Sequence, residues 1–63
     1  LRIVQEIMKL KEKYRDVLIY RLFLDMSFHE IAEIMGIKEN SAKVIYHRGK
    51  NMIRGRMEEY KNE

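Results

Sequence analysis

Cysteine and proline are absent from this 63-residue sequence, and glycine occurs three times. Without cysteine the chain has no disulfide and no cysteine-built zinc site to support a small fold. That matters here, because a domain of about 60 residues buries only ~60% of the surface its unfolded chain exposes. The same absence fits a reducing compartment. No apolar run approaches the ~20 residues that a membrane span requires, and no signal-peptide pattern is present. Gly36, Gly49 and Gly55 stand apart, so no glycine-rich loop can cradle a phosphate. No Ser/His/Asp set is recognisable. The stretch "HEIAE" (His29 to Glu33) holds one histidine at zinc-protease spacing, but Glu33 stands where the second would be. His29 and Glu33 read instead as an exposed pair one helical turn apart. The sequence therefore predicts no catalytic residue, no metal, no cofactor and no enzyme activity.

What is present is helical pattern. There is no Gly/Ser tract, no repeat and no period-2 alternation, so every segment reads as helix. The chain opens at Leu1 inside such a pattern, which predicts one domain over residues 1–63 that is a piece of a longer protein. Leu1, Val4, Ile7 and Met8 predict a first helix ending near Leu10. A second, from about Glu12 to Leu24, has Tyr14, Val17, Leu18 and Leu22 on one face. Ile19, Tyr20, Phe23 and Leu24 spread apolar surface around the rest, as in a helix that docks on more than one side. Ser27 and Glu30 form a capping-box pair, so a third helix should run to about Met35, with Ile31, Ile34 and Met35 inward. A fourth follows Gly36-Ile37 to about Met57. Ala42, Ile45, Tyr46, Gly49, Met52, Ile53 and Met57 form its apolar stripe. The tail from Glu58 to Glu63 is polar and should fray. The fold class is all-α, a compact four-helix domain.

Net charge is +3 and unevenly placed. From Lys43 to Arg56 there are five basic residues and no acidic one, while Ser27 to Ile37 holds Glu30 and Glu33 and no Lys or Arg. Such asymmetry points to an anionic partner. The basic helix lacks the bulky aromatic face of a membrane-surface helix, which favours nucleic acid and no membrane partner.

The third and fourth helices are joined by a very short turn, as in a helix-turn-helix. Gly36 can take the left-handed conformation there without a clash. Ala32 is small enough for the helices to cross closely, and Ile31, Met35, Ile37, Ala42 and Ile45 complete the apolar spacing. In this motif the N-terminal residues of the second helix meet base edges in the major groove. Asn40 suits adenine, Lys43 suits guanine or a phosphate, and Glu39 can accept from a cytosine amino group. Val44, outward among basic residues, suits a thymine methyl. Ser41 and His47 lie on the same side. Arg48, Lys50, Arg54 and Arg56 suit phosphates, which position a protein without reading sequence.

These segments resemble region 4 of sigma-70-type RNA polymerase sigma factors, especially the extracytoplasmic-function group. The resemblance rests on "EKYRDVLIYR" (Glu12 to Arg21), "SFHEIAEIMGI" (Ser27 to Ile37) and "SAKVIYHRGK" (Ser41 to Lys50). It covers most of the chain and is strongest in the middle segment. It implies a helix-turn-helix domain, winged-helix-like without the wing, that binds double-stranded promoter DNA at the −35 element. The implied DNA-facing residues are Ser41, Lys43, Val44, His47 and Arg48. It also implies docking on the β flap of core RNA polymerase, for which Ile19, Tyr20 and Phe23 would serve, an anti-sigma protein as a further partner, and a cytoplasmic, nucleoid-associated bacterial protein. Lys11 stands where the family usually has proline, and Lys38 where a serine caps the recognition helix. Asn40 could cap instead, starting that helix two residues later. Ala42 replaces valine, Val44-Ile45 replaces Ser-Arg, and Gly49 replaces alanine. Two other readings fit the residues: the DNA-binding domain of a LuxR-like regulator, and a protein-interaction module that has lost DNA binding.

Overall fold

The computed structural model describes the backbone of residues 1–61 and the side chains of residues 1–58. Among them the chain forms four helices and no strand: α1 (Arg2–Met8), α2 (Glu12–Leu22), α3 (Phe28–Met35) and α4 (Glu39–Lys61). The architecture is all-α, with α3 and α4 as the helix-turn-helix. Its long dimension of 40 Å against 19 × 17 Å follows α4, since 23 helical residues extend ~35 Å. No helix among the described residues is long and apolar enough to cross a membrane.

Three boundaries differ from the sequence reading. α1 stops before Leu10, with Lys9 as its C-cap and the Leu10 N–H donating to Ile7 C=O at 3.1 Å. Leu10 is thereby turned back onto Ile7, Leu18 and Ile53. α2 stops at Leu22, because Phe23 is its C-cap and Asp25 takes a positive φ of 53°. The polar tail was expected to fray from Glu58, yet α4 continues to Lys61; Asn62 and Glu63 lie outside the described residues. Between α1 and α2, Lys11 has φ −58° and ψ 149°. That φ is the angle a proline ring would fix, so lysine makes the turn without the ring.

α3 begins and ends as its residues predict. The Glu30 N–H donates to the Ser27 hydroxyl at 3.1 Å, and the Ser27 N–H donates to the Glu30 carboxylate at 2.9 Å. Gly36 closes the helix at φ 68°. The Ile37 N–H then donates to Ala32 C=O at 3.0 Å, the wrapped-back bond that satisfies an end carbonyl of the helix. Arg21 ties the end of α2 to the start of α3. Its Nη1 donates to Met26 C=O at 2.9 Å, and its guanidinium lies 4.9 Å from the centre of the Phe28 ring.

Two apolar clusters lie along α4. Val17, Ile31, Ala32 and Ala42 form the one beneath the helix-turn-helix, with Ile37 and Ile45 packed against it. Ile7, Leu18 and Ile53 form the other, beneath α1. Tyr46 packs against both. Gly49 is buried between α4 and α2, where an added Cβ would lie 3.2 Å from Leu18 Cδ1. Three residues placed on the inward apolar faces are exposed: Leu22 (45%), Ile34 (60%) and Met52 (39%). Each falls at the edge of its helix's apolar arc and lines an open groove, Leu22 beside Ile3, Ile34 beside Asp16 and Tyr20 of α2, and Met52 beside Leu10 and Tyr14. Conversely, Glu6 is buried at 2% exposure. Lys9 Nζ lies 3.1 Å from its carboxylate and Arg56 Nη1 lies 3.3 Å away, so the pair with Arg56 joins α1 to α4.

Candidate nucleic-acid interface

The turn fixes how α4 is presented. The Ala42 N–H donates to Lys38 C=O at 3.1 Å, and helix begins at Glu39. Lys38 therefore holds the cap position despite lacking a capping side chain, and Asn40 is already inside the first turn, which overturns its expected role as the cap. Ala42 is fully buried, and Ile45 and Tyr46 are half-buried against the core. The Tyr46 ring meets Phe28 edge-on at 5.3 Å. This contact, with Arg21 over Phe28, registers α3 on α4.

At 3.6 residues per turn, the face opposite Ala42 is centred on Asn40, Val44, His47 and Asn51, all exposed. Lys43, Lys50 and Arg54 lie on one flank of it, and Ser41 and Arg48 on the other. Ser41 is half-buried and the rest of these are exposed. The expected DNA-facing set is thus one surface, but a long one. Arg54 lies ~21 Å along the axis from Asn40. Lys50 and Arg54 also border a groove of about 280 Å³ whose floor is Ile3, Ile7, Leu18, Leu22 and Ile53. Lys50 Nζ sits 5.2 Å from the centre of the Tyr46 ring. Arg56, expected among the phosphate-facing cations, turns to the buried Glu6 instead.

Charged partners at the N-terminal end of α4 were only partly legible in the sequence. The His29–Glu33 pair forms as expected, at 3.0 Å. Glu39 lies 3.5 Å from Lys43 Nζ and 3.7 Å from His29 Nδ1. The Glu39–Lys43 spacing of four residues signals such a pair, whereas the contact with His29 depends on the angle of the turn. Glu30 is held below its ordinary carboxyl pKa, first by the bond from the Ser27 backbone N–H and then by the Ser27 side chain. No group of three or more His, Cys, Asp or Glu residues that could hold a metal occurs among the described residues.

The expected polymerase-contact residues separate. Ile19 and Phe23 line an apolar groove of about 220 Å³ with Val4, Ile7 and Met8 of α1. Tyr20 points to the other side, where it packs against the cluster of Val17, Ile31, Ala32 and Ala42 and borders Ile34 and Met35. A step of one residue on α2 turns the side chain by ~100°, enough to move it from one groove to the other.

The sigma-70 region 4 family matches over residues 1–53. The chain belongs to that family. RNA polymerase sigma factor YlaC of Bacillus subtilis (strain 168) is 42% identical over 60 residues, covering 87% of this chain and 35% of the relative. The ECF RNA polymerase sigma factor SigW of the same organism is 38% identical over 52 residues, covering 82% and 28%. The chain thus spans about a third of the length of the curated relatives it matches. No solved structure gives a significant match. As a sigma region 4 domain of the extracytoplasmic-function type, it is a helix-turn-helix, DNA-binding domain of the transcription apparatus, and the family is not a class of enzymes. The departures from the region 4 pattern now have positions. Ala42 fills the core, and Gly49 lets α4 approach Leu18. Ile45 packs inward where the family pattern has arginine, which leaves Val44, 38% exposed, as the apolar residue on the exposed face of α4.

Proposed function

We propose that this chain is domain 4 of a longer sigma factor, and that it recognises the −35 promoter element by laying the N-terminal half of α4 in the major groove. The observation that carries this reading is the closed turn from Gly36 to Lys38. It presents Asn40, Lys43, Val44 and His47 together on the exposed side of α4 while Ala42 and Ile45 hold the helix to the core. Val44 meets a thymine methyl, Asn40 and Lys43 meet polar base edges, and Ser41, Arg48, Lys50 and Arg54 take phosphates. The apolar groove of Ile19 and Phe23 receives a helix of the polymerase β flap, and Tyr20 supports the core behind it. An anti-sigma protein would cover either surface. The protein works in the cytoplasm, at the nucleoid.

Selection of bound duplexes from a random pool tests the reading. The selected sites should share a short motif, and log K should fall against log salt with a slope of about −4, as for four or five neutralised phosphates. Val44→Ala should relax preference at one base pair, whereas Phe23→Ala should leave duplex binding intact and abolish binding of a flap helix. No duplex binding at low salt would leave only the interaction-module reading. An unchanged selected profile for Val44→Ala would make that residue mere surface.

A further inference from the structure

The charge of α4 is divided along its length. From Glu39 to His47 it carries one acid and one base, Glu39 and Lys43. The next nine residues, 48–56, carry Arg48, Lys50, Arg54 and Arg56 and no acid. The part of the helix able to meet base edges is therefore almost neutral, and the cations lie beyond it. Within the neutral part the charges are not independent. Glu39 Oε2 lies 3.5 Å from Lys43 Nζ, and both side chains are 48% exposed. The other Glu39 oxygen lies 3.7 Å from His29 Nδ1 on α3, which is itself 3.0 Å from Glu33. Glu39 thus lies between the two helices at the end proposed to meet DNA, paired at 3.5 Å with Lys43.

We propose that Glu39 is a specificity-determining residue, holding Lys43 in an intramolecular pair that only a matching base pair releases without loss. This rests on the DNA-binding reading above. The physical argument is one of exclusion. A carboxylate brought to duplex DNA approaches a field of negative phosphates, and it gains nothing unless a donor faces it. The donor available on a base edge in the major groove is an amino group of cytosine or adenine. At a site offering one, Glu39 accepts from the base, and Lys43 is freed for guanine or a phosphate. At any other site the carboxylate loses its water and finds no partner, or Lys43 stays bound to it and one phosphate contact is lost. Penalising wrong partners in this way separates related sites more sharply than added attraction does. His29 Nδ1 lies 3.7 Å from the carboxylate, beyond hydrogen-bond distance, and the side chain is 72% exposed, so it can follow Glu39 without breaking the core.

The test compares the 63-residue chain with its Glu39→Gln, Lys43→Gln and double variants on a selected duplex and a scrambled one. Wild type should prefer the selected duplex and show the salt slope expected above. Glu39→Gln should bind the scrambled duplex more tightly, with a slope steeper by about one unit because Lys43 is released to a phosphate. Its selected sites should lose preference at one base pair, roughly tenfold or more. The double variant should show no such steepening relative to Lys43→Gln, which separates release of Lys43 from a general gain of positive charge. Circular dichroism confirms that α4 is retained. If wild type discriminates and Glu39→Gln keeps its slope and base profile, the inference fails while the DNA reading stands. If the double variant steepens as much as Glu39→Gln, Lys43 is not the restrained group and the inference also fails. If wild type binds neither duplex, the DNA reading falls and this inference with it.

Discussion

Gly49 and Gly55 are six residues apart on α4, and the same replacement by alanine should act on them in opposite directions. In a helix interior alanine is favoured over glycine by about 1 kcal/mol. At Gly55 nothing lies within 4 Å of the position a Cβ would take, so Gly55→Ala should gain most of that. At Gly49 the new Cβ would lie 3.2 Å from Leu18 Cδ1 and 3.3 Å from Leu18 Cγ. Carbon atoms settle at ~3.5–4.0 Å, so Leu18 must retreat by a few tenths of an ångström. It is 1% exposed and packed against Ile7 and Ile53, so the contact is relieved only if Leu18 shifts toward the groove it borders with Ile3 and Leu22. Overpacking of this kind costs ~1–3 kcal/mol, so it cancels or exceeds the propensity gain. Gly49→Ala should therefore be ~0–2 kcal/mol less stable than wild type, and ~1–3 kcal/mol less stable than Gly55→Ala. For a chain this small each kcal/mol moves Tm by ~4–8 °C. Thermal and urea unfolding followed by circular dichroism would measure both variants. Equal stability, or Gly49→Ala the more stable of the two, would refute the close approach of α4 to Leu18 as the reason for glycine here.

Arg56→Ala should cost ~1–2 kcal/mol through loss of a charged hydrogen bond to buried Glu6, less than a fully buried pair would lose because Lys9 remains. It should leave the salt slope of DNA binding unchanged, whereas a phosphate-facing Arg56 would lower the slope by about one unit. Lys11→Pro should raise stability by ~0.4–1 kcal/mol in urea unfolding, since the native φ of −58° already suits the ring; a loss would show that the ring meets its surroundings. Glu30 has a folded-state pKa below its unfolded value, so its contribution is fully present above pH ~4.3 and disappears as pH falls through the lowered folded value. Melting curves of wild type and Glu30→Gln should therefore converge on acidification below that pH, and curves that stay parallel would deny the capping box any proton-linked part in stability.

The parts of the fold that could be read from the sequence are those set by neighbours in the chain. Ser27, Glu30 and Gly36 act within four residues of themselves, and α3 appears with the boundaries they dictate. Contacts between distant residues were not legible in this way. Glu6 falls with Arg2, Gln5 and Lys9 on the polar side of α1, opposite Val4, and its partner Arg56 is fifty residues away. Nothing local marks that glutamate as the buried one. Ile34 and Met52 fit their apolar stripes by spacing, yet spacing gives only the direction of a side chain and says nothing of where the next helix ends. The same holds for α2: Ile19, Tyr20 and Phe23 are all apolar on one helix, but which groove each enters depends on where α1 and α3 lie.

The candidate interface divides similarly, and the division bears on how the domain would discriminate. The position of Ile45 could have offered another cation at the reading end, as the family does with arginine. Here it joins the core beside Ala42, so the exchange strengthens the attachment of α4 and weakens its pull on phosphate at that end. Arg48, Lys50 and Arg54 would restore the pull about one to two and a half turns further along, beyond the residues proposed to meet a base. On the proposed reading, attraction without sequence content and recognition of sequence would then be carried by different halves of one helix. In such an arrangement the C-terminal half sets how tightly the domain holds any duplex. On the same reading, discrimination would rest on a few weak groups, Glu39, Asn40, Val44, His47 and Lys43, none of which would supply much affinity by itself. A sigma region 4 domain tethered through its α1–α2 groove would need little more, because tethering supplies the local concentration that its own contacts lack.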